Sequence, residues 1–259
     1  WPDLLKLCAA STQQPDWPHL LPALGLHPVY LLQHQPADLQ ALDEQLKAPS
    51  VIAVGEIGLD KFLPELAEPV HWACQVALFE AQLVLAREHS LPVIIHARRC
   101  HADIVHALKR VGHASGGIVH AFSGSVDEAQ QYRRLGLHLG LGGPLTWPQA
   151  VRLHRVAREL PLDAFVLETD APDLVPYAHS DRHADGRPRV AGERVEEHPP
   201  DRGDRRDEER VAGPQGERHV AEQALVGGER DRLRDDPEGV LRRLRIRLQR
   251  CRDRDDERV

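Results

Sequence analysis

The chain has 259 residues, enough for one large or two small domains, and carries a formal net charge of −7. That acidic balance argues against a broad, sequence-blind grip on nucleic acid through a basic face, though not against a polyanion held through metal ions. Four scattered cysteines (Cys8, Cys74, Cys100, Cys251) with no CxxC pair exclude a dense disulfide scaffold and suit a reducing, cytoplasmic setting, and no apolar run reaches membrane-spanning length.

The composition changes along the chain. All eleven aromatic residues lie at or before Tyr177 and all four lysines at or before Lys109, whereas residues 178–259 carry 20 Arg against 21 acids. Residues 1–177 are therefore expected to hold the folded domain. Residues 178–259 read as a charged, low-complexity tail that buries too little apolar surface to offset chain entropy, and disorder is expected there. Within it only "EGVLRRLRIRLQRC" (238–251) suits a basic helix, and such charge runs are more often simply solvated. The sequence contains no Met and opens on Trp1 without a signal peptide, which reads as an N-terminal truncation.

In chain order, "LLPALGLHP" (20–28) reads as the first strand. Further short apolar runs follow at "VIAVGEIGLD" (51–60), "LPVIIHAR" (91–98), "GGIVHAFSGS" (116–125), "LHLGLGG" (137–143) and "FVLETDAP" (165–172). Their lengths and Gly/Pro borders suit buried parallel strands. Between them "HWACQVALFEAQLVLAREHS" (71–90) sets Val76, Phe79, Leu83 and Ala86 on one stripe at helical spacing. "ADIVHALKRVG" and "VDEAQQYRRLG" each end on a Gly suited to a helix C-terminus, and "WPQAVRLHRVARELP" puts Pro148 near a helix start. This alternation predicts an α/β fold with a parallel sheet, either open or closed. Six strands in about 177 residues match a TIM-type (β/α)8 barrel lacking its first two strands, since that fold takes about 250 residues.

Candidate chemistry gathers at the strand ends. Glu56 closes "VIAVGE", His96 closes "PVIIH", His120 closes "GGIVH" and Asp170 follows "FVLET". A single histidine in such a place is more often a hydrogen-bonded structural residue. Two histidines and two carboxylates on four strands are hard to attribute to packing, because the C-terminal rim is where barrels and open α/β sheets build sites. Imidazole with carboxylate suits Zn, Mn and other divalent ions. His27, in "GLHP", faces the same rim as a substrate-binding candidate, with a turn-forming role beside Pro28 equally open. Asp60 could contact substrate, orient a neighbour or simply form a turn. Arg98 is placed to meet a phosphate or to form an ordinary rim ion pair. "GLGG" (140–143) suits a tight turn better than a phosphate cradle, and there is no GxSxG elbow, P-loop or GxGxxG turn.

The ordered set "GLHP", "VGEIGLD", "LPVIIHAR", "GGIVHAFSGS" and "VLETDAP" resembles the TatD family of metal-dependent hydrolases and deoxyribonucleases, from about Trp1 to Tyr177. The resemblance implies an amidohydrolase-like barrel, one or two divalent ions (Mg, Mn or Zn), and hydrolysis of DNA or another phosphodiester by a cytoplasmic monomer. On matching motifs Glu56 corresponds to a bridging carboxylate, His96 and His120 to ligands of one metal, and Asp170 to the acidic ligand beside the attacking water. Glu56 and Asp170 are thus the catalytic candidates. Two features depart from the family pattern. No HxH pair occurs anywhere in the sequence, although the family's first strand carries one. The text after Tyr177 also stops resembling the family's closing helices, and a frameshift in a GC-rich gene is the simplest account. Impaired or absent catalysis is therefore expected of this chain. A related amidohydrolase acting on a small ester or amide, and a non-catalytic gene product, are the alternative readings.

Overall fold

The computed structural model describes residues 1–170 and 173–179. The expected disorder of the charged tail and the possible basic helix at 238–251 lie outside these residues, and the proposed boundary at 177 falls at their edge.

Each of the six apolar runs contributes a strand: β1 (Ala23–Leu24), β2 (Ala53–Asp60), β3 (Val93–Arg98), β4 (Gly117–Val119), β5 (Leu137–Leu141) and β6 (Phe165–Leu167). All neighbours pair in parallel and the spatial order equals the chain order, β1 to β6. That is the strand order of a (β/α)8 barrel wall, with helices supplying the crossovers. The strands are shorter than the runs that announce them. At β1, Pro22 has no N–H for a ladder and Pro28 opens a 3-10 turn (Pro28–Gln33), so only two residues pair.

The helices are α1 (Pro2–Ser11), α2 (Pro36–Gln45), α3 (Pro69–Glu88), α4 (His101–Val111), α5 (Val126–Arg134) and α6 (Val151–Glu159). Gly112 caps α4 in the left-handed region at φ 71°, and Gly136, just past the α5 cap, has φ 79°; a side chain would be strained at both. Pro148 departs from expectation. It lies in a turn three residues before α6, because Trp147 ahead of it is extended (φ −76°, ψ 129°), as a residue preceding proline prefers.

Helix α3 also departs from its expected single stripe. Phe79, Leu83 and Ala86 are fully buried, but so is every residue from Ala77 to Ala86, including Glu80 and Gln82. It is a core helix, apolar almost all round. Its polar residues are there for the rim. Gln82 accepts from the Leu26 N–H at 2.7 Å and donates to the Leu26 carbonyl at 3.1 Å, which fixes the turn leading into His27. Gln75 accepts from the Asp60 N–H at 2.9 Å and donates to the Asp60 and Leu66 carbonyls. A buried polar group is tolerated only when hydrogen-bonded, and these two amides turn that requirement into loop placement. An ion pair between Glu80 and Arg110 joins α3 to α4.

Candidate metal centre

Glu56 does not close its strand as the sequence suggests, since β2 runs four residues further to Asp60. The ladder with β3 slips between Val54 and Ile57, taking Gly55 and Glu56 out of regular pairing. Such an irregularity re-aims a side chain inside an otherwise continuous strand. The Glu56 carboxylate points to the rim, with Oε2 3.4 Å from His27 Nε2 and Oε1 3.7 Å from His96 Nδ1. Oε1 is buried without a hydrogen-bond partner. An orphaned buried carboxylate oxygen beside an imidazole is the kind of vacancy in bonding that a cation satisfies.

His96 sits on β3, two residues before its end, and donates from Nε2 to Asp60 Oδ2 at 2.9 Å. With Nε2 so engaged, Nδ1 is the ring nitrogen that faces Glu56, 3.7 Å from Oε1. Asp60 is fully buried, so direct contact with substrate is not what its position offers. Its hydrogen bonds serve two of the readings the sequence left open, one oxygen meeting a neighbouring side chain and the other a turn. Its other oxygen accepts from the Phe62 and Leu63 N–H groups at 2.7 and 3.4 Å, fixing the loop after β2.

His120 follows β4 and repeats the device. Its Nδ1 donates to Glu168 Oε2 at 2.8 Å, leaving Nε2 3.6 Å from Asp170 Oδ1. Glu168 also accepts from the Ala121 N–H at 2.6 Å. Metal-binding histidines commonly hold their second nitrogen on a carboxylate in this way, which fixes tautomer and ring orientation. Glu168 was missed by sequence reasoning. The available signal was spacing: Glu168 and Asp170 are two apart beyond an extended strand and so share a face. A second signal lay in "GLGG", because a Cβ at Gly140 would come within 2.3 Å of Glu168 Oε2. That glycine makes room for the carboxylate, and Gly143 makes room for the Leu174 carbonyl.

His27, Glu56 and His96 offer ligand atoms within 4.8 Å of one another. Geometry alone would make His27 a third ligand. Its Nδ1, however, accepts the Val29 N–H at 3.2 Å, so the neutral ring carries its proton on Nε2, directed at Glu56. His27 is therefore a hydrogen-bond donor to the carboxylate. Arg98 is exposed, and its guanidinium lies 3.4 Å from the Phe62 ring centroid. Among the described residues no carboxylate forms an ion pair with it.

The electrostatics agree with a cation site. Burial works against a charged Glu56, but the imidazoles of His27 and His96 beside it and the nearby charge of His120 outweigh it and bring the pKa down to about 2. The Glu168 hydrogen bond, opposed by burial, raises His120 to about 9. Burial lowers His96, yet the Asp60 and Glu56 carboxylates prevail and raise it. Asp60 shows the mirror image, with burial overcome by the His96 and Phe62 hydrogen bonds and the carboxyl held low. A rim that lowers its acids and raises its imidazoles attracts positive charge, and a divalent ion competes with protons for the same atoms. Carboxylate oxygens and imidazole nitrogens are donors that suit Mn, Zn or Mg, and among the described residues the group whose ligand atoms lie within 4.8 Å of one another is His27, Glu56 and His96, with His120 and Asp170 outside it.

Comparison with known proteins places this rim in a family. A family model described as TatD related DNase matches residues 4–208. An uncharacterized metal-dependent hydrolase of Haemophilus influenzae is 44% identical over 153 residues, 58% of each chain. The 3'-5' ssDNA/RNA exonuclease TatD of Edwardsiella piscicida is 37% identical over 146 residues, 56% of this chain and 54% of that protein. Among solved structures, YJJV, a TatD homologue from Escherichia coli K12, superposes with a TM-score of 0.62 at 36% identity, covering 73% of this chain and 68% of that one. The chain spans 58% to 62% of the length of the first curated relatives it matches. A parallel strand wall with paired imidazoles and carboxylates at its carboxyl rim, and a family match across most of the chain, have one reading: this chain belongs to the family of TatD-related DNases.

Proposed function

We propose that the chain carries the metal-binding core of a hydrolase that cleaves phosphodiester bonds of DNA or a related nucleic acid. Glu56, His96, His120 and Asp170 would hold one or two divalent ions. When bound, such an ion supplies Lewis acidity, making water a better nucleophile near neutral pH and offsetting phosphate charge. The remaining work belongs to side chains. Glu56 stays ionised at any physiological pH. Asp60 and Glu168 keep the two imidazoles in one tautomer and one orientation. Asp170, with its side chain 49% exposed, is positioned to accept a proton from attacking water at the open side of the rim. Arg98 supplies positive charge for the substrate phosphate.

The single observation that carries this reading is the buried, unpartnered Glu56 Oε1 facing an oriented imidazole. The names of the relatives support a nuclease over other hydrolases. No HxH pair occurs in the sequence, so the reading rests on the four ligands Glu56, His96, His120 and Asp170. No helix among the described residues is long and apolar enough to cross a membrane. A cytoplasmic monomer is the corresponding proposal for setting and assembly. The test is release of nucleotides from a labelled single-stranded DNA with Mg2+, Mn2+ or Zn2+ supplied in turn, beside a panel of lactones and cyclic amides. Ion-dependent DNA cleavage that disappears in Glu56→Gln supports the reading. Turnover confined to the small esters or amides contradicts it.

A further inference from the structure

The β2–α3 loop and the end of β3 with the residue after it bring together three residues that the metal centre does not use for ligation. Phe62 is 40% exposed, and two guanidiniums lie against its ring: Arg98 at 3.4 Å from the centroid and Arg99 at 4.8 Å. Among the described residues no carboxylate pairs with either arginine. The nearest cation in sequence, Lys61, behaves differently. It is neutralised by Asp103 at 2.9 Å and lies over Trp72. In a chain of net charge −7, two adjacent guanidiniums left without a counter-ion on an exposed ring are conspicuous. Arg99 moreover holds a left-handed backbone (φ 60°), which a non-glycine residue adopts only against steric resistance.

The cluster is fixed in place relative to the metal centre. Asp60 orients His96 with one oxygen and ties down the Phe62 N–H with the other. The Lys61 N–H donates to the Arg98 carbonyl at 2.9 Å, locking one loop to the other strand. Arg98 is two residues beyond His96 and Phe62 two beyond Asp60, so the cluster sits about 7 Å further along the same rim, by strand rise.

Resting on the phosphodiesterase reading above, we propose that Phe62, Arg98 and Arg99 form a platform for single-stranded polynucleotide beside the metal centre. A nucleobase stacks on the layer that the Phe62 ring forms with the Arg98 guanidinium, and Arg99 holds the adjoining phosphate. The strand must be single, because a duplex hides its base faces while an aromatic ring has only its own face to offer. The guanidiniums contribute through charge and planar hydrogen bonding to phosphate, and through stacking of their own.

Binding of a dye-labelled ten-nucleotide oligothymidylate to the full chain, measured in a chelating buffer, isolates the platform from catalysis. Phe62→Ala should weaken binding about tenfold, and Phe62→Leu should do the same because it keeps apolar bulk without a π-face. Phe62→Trp should bind at least as tightly as the parent. Arg99→Gln should weaken binding and reduce the salt slope (log Kd against log salt) by about 0.7, the value for one phosphate contact on a single strand. Melting temperatures of all variants should match the parent, since the altered groups are exposed. Phe62→Ala binding within twofold of the parent overturns the proposal, as does a parent chain that binds no oligonucleotide or prefers a duplex of equal length. Because binding is read without metal, an absence of cleavage would contradict the hydrolase reading while leaving this result intact.

Discussion

The two imidazole–carboxylate pairs are built to one plan but set at different depths. His96–Asp60, on β2 and β3, is closed: Asp60 is fully buried, accepts two backbone N–H groups besides the imidazole, and has its own backbone held by Gln75 from α3. His120–Glu168, beyond β4 and β6, is open. Glu168 is 18% exposed, has one backbone donor, and neighbours a half-exposed Asp170. The contrast teaches that one half of the rim is part of the core and supplies rigidity, while the carboxylates of the other are open to solvent. An orienting carboxylate in the closed half should therefore serve both stability and ion binding, and one in the open half mainly ion binding.

Asp60→Asn should show the largest effect. It removes the acceptor that fixes His96 and leaves buried groups mispaired, so it should cost about 1–3 kcal/mol in denaturant unfolding. It should also weaken divalent-ion affinity roughly 10- to 100-fold by calorimetry. Glu168→Gln should lower ion affinity over a similar range but change unfolding free energy by less than about 1 kcal/mol. Equal destabilisation by the two substitutions would erase the distinction between the halves. Gly140→Ala sharpens it from the other side. The new Cβ displaces only the flexible end of Glu168, so ion affinity should fall about tenfold with little loss of stability. The smallest effect concerns Cys100, whose thiol donates to the Leu59 carbonyl at 3.0 Å in the closed half. Burial pushes its pKa up to about 12, so the thiol stays protonated at pH 8–9. Peptide-resolved alkylation there should find Cys100 unmodified until the chain unfolds, and rapid labelling of the native protein would show that this half is not closed.

Much of this was legible in the residues, and the rest was hidden for identifiable reasons. Apolar runs bounded by Gly and Pro located all six strands, and reading the polar residue at each strand end placed His96 and His120 at one rim with Glu56 and Asp170. The alternation of burial along β3 is the pattern that makes such reading possible. Partners were not legible. His120 meets Glu168 across 48 positions of sequence and His96 meets Asp60 across 36, and no local pattern specifies which atom of a ring faces which carboxylate. His27 shows the same limit, since its role follows from one backbone hydrogen bond to Val29 that fixes its tautomer. The full burial of α3 was also invisible to a search for a single stripe, because Gln75 and Gln82 look like surface residues until the loops they hold are known.

On the proposed function Glu56, with its unpartnered buried oxygen, would help hold a divalent ion beside His96. Calorimetric titration of the chain with Mn2+, alongside Glu56→Gln, tests it most directly. The account predicts saturable binding by the parent chain and roughly 100-fold weaker binding, or none, by the variant. Equal affinity in the two proteins, or no binding by the parent, would contradict it.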